Sequence, residues 1–479
     1  MSTTGRRPEL KKSIGGLGFF SLAFGSMIGI GWVTAMGGWL THAGPVGAIL
    51  GFALGGTLMI FIGLCYAELT PMLPLAGGEV AYAYKASGTG KAFFFGWFLA
   101  FGYISVSAFE AISIGLILSY MLPWIDVWPL YEVGGATVYA SHLALAFLFT
   151  GCITGINYVG VRWAAGLQIL LTGSFVVVAM IFIAAGLMGG ELGHVDPPFA
   201  AVGTVGVLGG IAAVFVTAPF WYVGFDTIAQ GAEEAKTDIA PRRLGTLILV
   251  SIVGATVFYL ALILAVAMTG PWTAIVDGRL PTAEAFGAAF GSPLLVNLVL
   301  IAALIGLFTS WNGFFLAGTR VLFALGRGRM VPEWLGATHP RFGTPGNAIL
   351  LAGVVTFLGA MLGRGAMLSF VDVGSFCIAL AFFGVAHSTL RLRKTEPELS
   401  RPYRIPGGSV VPRVALAGAF FILAVMLIPG TGATLGWPLE WMILIGFALL
   451  GAGFWILGKG LRARTSEVER ERLVLGRGE

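Results

Sequence analysis

Long apolar runs without alternation, separated by polar or Pro/Gly-rich breaks, dominate the chain. They fall at 15–40, 46–70, 92–121, 141–158, 163–188, 205–232, 243–268, 295–323, 346–362, 367–390, 413–428 and 437–458, and are labelled α1 to α12 in chain order. A bilayer core about 30 Å thick takes about 20 apolar residues per spanning helix, whereas a spanning strand needs about ten in alternation. The pattern therefore predicts an all-α integral membrane protein of twelve transmembrane helices. The first run is too long for a secretory leader, has no small-residue cleavage pattern, and leads straight into another span.

Composition agrees with this pattern. Of 479 residues, 57% are hydrophobic and 11% charged, too little charge to cover a water-facing surface, since soluble domains carry about 25%. The net charge of +5 has no folded domain outside the membrane on which to form a basic patch, so no nucleic-acid partner is expected. Cys65, Cys152 and Cys377 lie far apart inside apolar runs and read as small core residues, not as a disulfide framework or metal site. With a cytoplasmic N-terminus, twelve spans place 26 of the 28 lysines and arginines on the inside, leaving Arg279 and Arg364 outside. This bias predicts a multi-pass protein of the cytoplasmic membrane with both termini inside.

Two spans carry helix-breaking clusters at bilayer depth. α1 reads Gly25-Ser-Met-Ile-Gly29-Ile-Gly31, and α6 reads Pro219-Phe-Trp-Tyr-Val-Gly224-Phe-Asp226. Glycine costs about 1 kcal/mol and proline about 3 inside a helix, so both segments are expected to unwind. Unpaired backbone is tolerated there only where it lines a cavity or is buried in protein. α1 opens one block of five spans and α6 the next. An odd block length inverts the second block, and interrupted helices in matching positions of inverted repeats point to a transporter site at the midplane. The expected organisation is a cytoplasmic tail at 1–14, a first repeat at 15–188, a second at 205–390, α11 and α12 at 413–458, and a cytoplasmic tail at 459–479.

Six short motifs occur in order: Gly25 to Gly31; Tyr66-Ala-Glu68-Leu with Pro74-Leu-Ala-Gly77-Gly78-Glu-Val-Ala-Tyr82; Gly224-Phe-Asp226 with Glu233-Glu234; Arg320-Val-Leu-Phe-Ala-Leu-Gly-Arg327; His339-Pro-Arg-Phe-Gly-Thr344-Pro345; and Arg401-Pro-Tyr-Arg-Ile-Pro406-Gly407. In these the chain resembles the amino acid, polyamine and organocation transporter superfamily. The resemblance implies a leucine-transporter-like fold of five plus five inverted helices with two C-terminal helices added. It also implies that Arg320, Arg327, Glu68 and Glu234 hold the inner helix ends together.

A broken helix offers free N–H groups to an anion and free carbonyls to a cation. By resemblance, the amides of Ile30 and Gly31 hold a substrate carboxylate, and the carbonyls of Met27, Phe220, Trp221 and Val223 hold its ammonium group. Phe220 takes the place of an aromatic gate. Ser107 and Glu110 share a face of α3 at i, i+3 spacing and are candidate substrate contacts; Glu110 is an intramembrane carboxylate and so a functional candidate: a partner for a substrate cation, or a proton carrier. Its alternative is a protonated acid bonded to a backbone carbonyl. Asp226 is either a titrating group or a helix cap. Thr309 and Ser310 of α8 are a candidate sodium site, or hydroxyls bonded back to their own helix. Where sodium-independent relatives carry an α5 lysine, a gapless alignment puts Gly166.

The expected function is a secondary active transporter of an amino acid or small organic amine, with cationic substrates favoured by Glu110. Neutral amino acid uptake and exchange of amines are the alternatives. The coupling ion is Na+ or H+, and no cofactor or enzyme chemistry is implied. The other class weighed is a transporter-like nutrient receptor, which would need an output domain larger than the tails at 1–14 and 459–479.

Overall fold

A computed structural model describes residues 7–200, 206–276, 278, 280–429 and 434–476. Arg6, Arg279 and Arg477, used in the orientation argument, lie outside them, as does the start of α6 at 205. Eleven helices among the described residues are long and apolar enough to cross a membrane. α3 is Thr89–Met121, α4 Ala140–Val159, α5 Val161–Gly189, α7 Pro241–Met268, α8 Pro293–Arg327 and α10 Met367–Thr395. α11 is Val410–Leu427 and α12 Leu439–Leu457, while α9, Gly346–Ala360, is apolar but shorter, at 15 residues. Met36–Met72 is continuous in hydrogen bonding but turns at Gly44 (φ 69°, ψ 173°) ahead of Pro45. Residues before the turn extend α1, and those after it form α2.

Both expected breaks are present. α1 runs Gly16–Met27, opens at Ile28, Gly29 and Ile30, and resumes at Gly31–Thr34. α6 runs Gly206–Tyr222 and resumes at Thr227–Gln230. The α6 helix passes through Pro219 and opens four residues later, at Val223 to Asp226. Around the broken segments α2 packs on α7 and α6, α3 on α8 and α10, and α5 on α8; α1 contacts α5, α7 and α8.

The outer surface is apolar where lipid would lie. Leu449 and Leu457 of α12 are 67% and 86% exposed. Cys65 and Cys377 are buried and free, as expected, but Cys152 is exposed on the outer side of α4. The apolar-run criterion cannot tell a lipid-facing position from a core one, because both faces of a membrane helix are apolar. A further departure from the all-helical expectation is an antiparallel hairpin, Pro129–Val133 with Ala136–Tyr139, between α3 and α4.

At the face rich in arginine, buried ion pairs close the bundle. Arg320 (0% exposed) donates from Nε and Nη2 to the Glu234 carboxylate at 2.7 and 3.0 Å. Arg327 instead grips Glu233 at 2.7 and 2.8 Å, joined by Arg7 at 3.2 Å and the Ala76 amide at 3.0 Å. Glu68 pairs with Arg393 and Arg401. The expected residues thus form the lock: Arg320 and Glu234 pair with each other, Arg327 and Glu68 meet the motif residues Glu233 and Arg401, and Arg393 and Arg7 join from outside the motifs. Burial works to raise the Glu233 carboxyl, but Arg327 and Arg7 hold it down at about 2.

Removing one member of a buried pair strands the other charge, a loss of about 3–5 kcal/mol. Glu234→Ala is therefore expected to lower the thermal unfolding midpoint in detergent clearly; an unchanged midpoint would refute the pair's role. Because Glu233 is depressed to about 2 from an ordinary value near 4.5, its contribution is complete above pH of about 4.5 and lost as pH falls towards 2. The unfolding midpoint of the wild-type chain should fall on acidification through that window, and Glu233→Gln should flatten the dependence.

Candidate functional site

The two breaks touch. Gly224 sits at φ 130°, a conformation that L side chains rarely adopt, and a Cβ there would lie 2.7 Å from the Met27 amide nitrogen. Asp226 stabilises the turn from within: its Oδ1 accepts the Gly224 N–H at 2.9 Å, and Thr227 Oγ1 donates to the Gly224 carbonyl at 2.7 Å. In the turn beginning at Gly31, the Ile30 carbonyl accepts the Val33 and Thr34 N–H groups at 2.9 and 3.4 Å, and the N–H groups ahead of these have no helical carbonyl to take them.

A small cavity of about 30 Å³ lies at the junction. Its lining includes Met27, Ile30, Gly31, Glu110, Phe220, Trp221, Val223 and Ser310, so most of the expected residues converge. Glu110 is 2% exposed, and its Oε2 has no hydrogen-bond partner; the Trp221 indole N–H is also unpartnered. An acceptor and a donor thus face the same space.

Three expected residues stand apart from the cavity. The Ser107 hydroxyl donates to its own helix at the Tyr103 carbonyl, 3.3 Å. Thr309 Oγ1 does the same at the Gly306 carbonyl, 2.8 Å. Asp226 turns away from the cavity and accepts the Tyr103 hydroxyl at 2.6 Å.

The α5 position also differs. Gly166 faces outward into open space, and the side chain reaching the seam between α1 and α8 is Gln168. Its Nε2 donates to the carbonyls of Ser21 (3.1 Å) and Thr309 (3.0 Å), while its Oε1 accepts from Asn312 at 2.8 Å. A neutral amide therefore holds the seam.

Tyr259 of α7 was not anticipated. Its hydroxyl lies 2.9 Å from the Met27 carbonyl and 3.2 Å from that of Trp221, two of the oxygens assigned to the ammonium group. One hydroxyl proton is shared between two acceptors, so each carbonyl keeps acceptor capacity for a further donor. The available signal was a lone tyrosine on an otherwise apolar run.

A vestibule of about 980 Å³ lies on the face opposite the arginine lock, lined in part by Asp126, Arg364 and Asp372. Phe109, Phe220 and Trp221 line both this vestibule and the small cavity. Three aromatic side chains, rather than Phe220 alone, thus separate the two spaces.

Residues 14–450 match the family model described as amino acid permease. The chain belongs to the amino acid permease family. Members of this family are transporters, not enzymes; the chain is a multi-pass membrane protein whose substrate is a small molecule, an amino acid. Similar proteins include the branched-chain amino acid permease BcaP of Bacillus subtilis, 26% identical over 88% of this chain and 90% of its own length. Cationic amino acid transporter 7, chloroplastic, of Arabidopsis thaliana is 25% identical over 91% and 73%. The glutamate/serine transporter AimA of B. subtilis is 27% identical over 92% and 81%.

In this permease a Cβ on Gly31 would run into the Trp221 ring. Gly31→Ala should therefore displace the indole and weaken amino acid binding in a direct binding assay by about tenfold. Gly38→Ala, with nothing within 4 Å, should bind normally; equal affinity in both variants would remove the close-approach role.

Proposed function

We propose that this permease is a secondary active transporter that carries an amino acid by alternating access across the cytoplasmic membrane, with cationic substrates preferred. The single observation that carries the preference is Glu110, a carboxyl with an unpartnered oxygen lining the cavity where the two helix breaks meet. In this reading the Ile30 and Gly31 amides take the substrate carboxylate. The carbonyls of Met27, Phe220, Trp221 and Val223 take the ammonium group, and Glu110 takes the side-chain cation. Phe220 gates the vestibule side.

Twelve spans in a five-plus-five inverted repeat, with both termini inside, complete the reading. Its support is the pairing of α2 with α7 and α3 with α8, the contacts expected of related elements five spans apart. The domain limits follow the same scheme. For the coupling ion we favour H+ over Na+: Thr309 is committed to its own helix and Gln168 already donates to the nearby carbonyls. A neutral-substrate reading draws on the apolar lining from Val106, Phe109, Phe314 and Val223.

Uptake into proteoliposomes from a panel of leucine, serine, glutamate, lysine and arginine tests the proposal. Competition by lysine and arginine should dominate in the wild-type chain, and Glu110→Gln should lose them while keeping neutral amino acids. Unchanged selectivity in the variant would overturn the role of Glu110, and binding without uptake under any gradient would overturn transport.

A further inference from the structure

Between the substrate cavity and the arginine lock lies a second polar cluster. Asp226 Oδ2 accepts the Tyr103 hydroxyl at 2.6 Å, and the Tyr103 oxygen accepts from Gln230 Nε2 at 3.2 Å. The same amide nitrogen contacts Glu79 Oε2 on the short helix Gly78–Ser87. Glu79 and Gln230 are 2% and 0% exposed, and Oε1 of each has no partner.

The titratable groups facing Glu79 are Tyr66 from α2, Tyr82 from its own helix, Tyr103 from α3 and Asp226 from α6. Arg320 and Arg327, the buried arginines of α8, are turned to Glu234 and Glu233. Two carboxyls therefore share a dry cluster in which none of these facing groups is a cation. Burying two unpaired negative charges is too costly to persist, so such a site binds a proton. Burial and then the Asp226 charge push Glu79 up to about 8, so it is protonated at neutral pH.

We propose that Glu79, linked through Gln230 and Tyr103 to Asp226, holds the proton that travels with the amino acid. It gives the proton up when the resumed half of α6 separates from α3 and the Gly78–Ser87 helix. The step is a simple ionisation: the Glu79 carboxyl loses H+ to the newly admitted water and becomes a carboxylate. Asp226 and Gln230 ride on α6, whereas Tyr103 and Glu79 belong to the elements it leaves, so one displacement breaks both links and hydrates both acids together. The inference rests on the transport reading above and names where its coupling ion binds.

The test uses the full chain in proteoliposomes with radiolabelled leucine, arginine and serine and a trapped pH dye. An inward proton gradient should drive accumulation of the carried amino acid with proton entry, measured in the wild-type chain and so independent of any variant's folding. Glu79→Gln should keep exchange of labelled for unlabelled amino acid within about twofold and lose gradient-driven accumulation by about tenfold or more. Accumulation that persists in Glu79→Gln, or wild-type uptake driven by sodium with no proton entry, would overturn the assignment. Absence of exchange in the wild-type chain would instead overturn transport itself, and this inference with it.

Discussion

Unpaired backbone inside a membrane is the constraint on which the rest of this structure depends. Each N–H or C=O left without a partner in hydrocarbon costs several kcal/mol, so the openings at Ile28–Ile30 and Val223–Asp226 exist only because other elements enclose them. α1 is held by α5, α7 and α8, and the two breaks lie against each other at Gly224 and Met27. Tyr259 ties the Met27 and Trp221 carbonyls from the side. The same groups that must be shielded from lipid are those a zwitterionic amino acid can satisfy.

Closure of one face follows from a different chemistry. Long arginine side chains buried at 0–3% exposure persist because each meets a carboxylate with bidentate geometry. On the other face, Phe109, Phe220 and Trp221 stand between a wide vestibule and a cavity of about 30 Å³. Ion pairs resist opening and aromatic rings rotate, so the structure is open on one side and locked on the other. The Glu79 cluster sits at the junction of these two regimes, which is why motion of α6 reaches it.

Much of this was legible from sequence. Lipid demands long apolar runs, so the helices fall within a few residues of those runs, and glycine clusters mark both breaks, although Pro219 is compatible with helix and the α6 opening begins at Val223. What failed was rotation and partnership. Residues two apart on a helix point about 200° apart, so an alignment to Gly166 missed that Gln168 faces the seam. Cys152 was placed in the core because apolar neighbours surround it on lipid-facing and protein-facing sides alike. Arg327 and Glu68 were read as lock residues, but their partners Glu233, Arg393 and Arg401 depend on tertiary packing. Tyr259 carried no motif; its role came only from where two carbonyls meet.

The central claim is that an amino acid lies between the two helix breaks. The most direct measurement is an experimental structure of the permease with its transported amino acid bound. The account predicts the ligand carboxylate at the Ile30 and Gly31 amides and its ammonium group at the Met27 and Trp221 carbonyls, with Trp221 displaced from Gly31. A ligand bound elsewhere, with both breaks unoccupied, would contradict it.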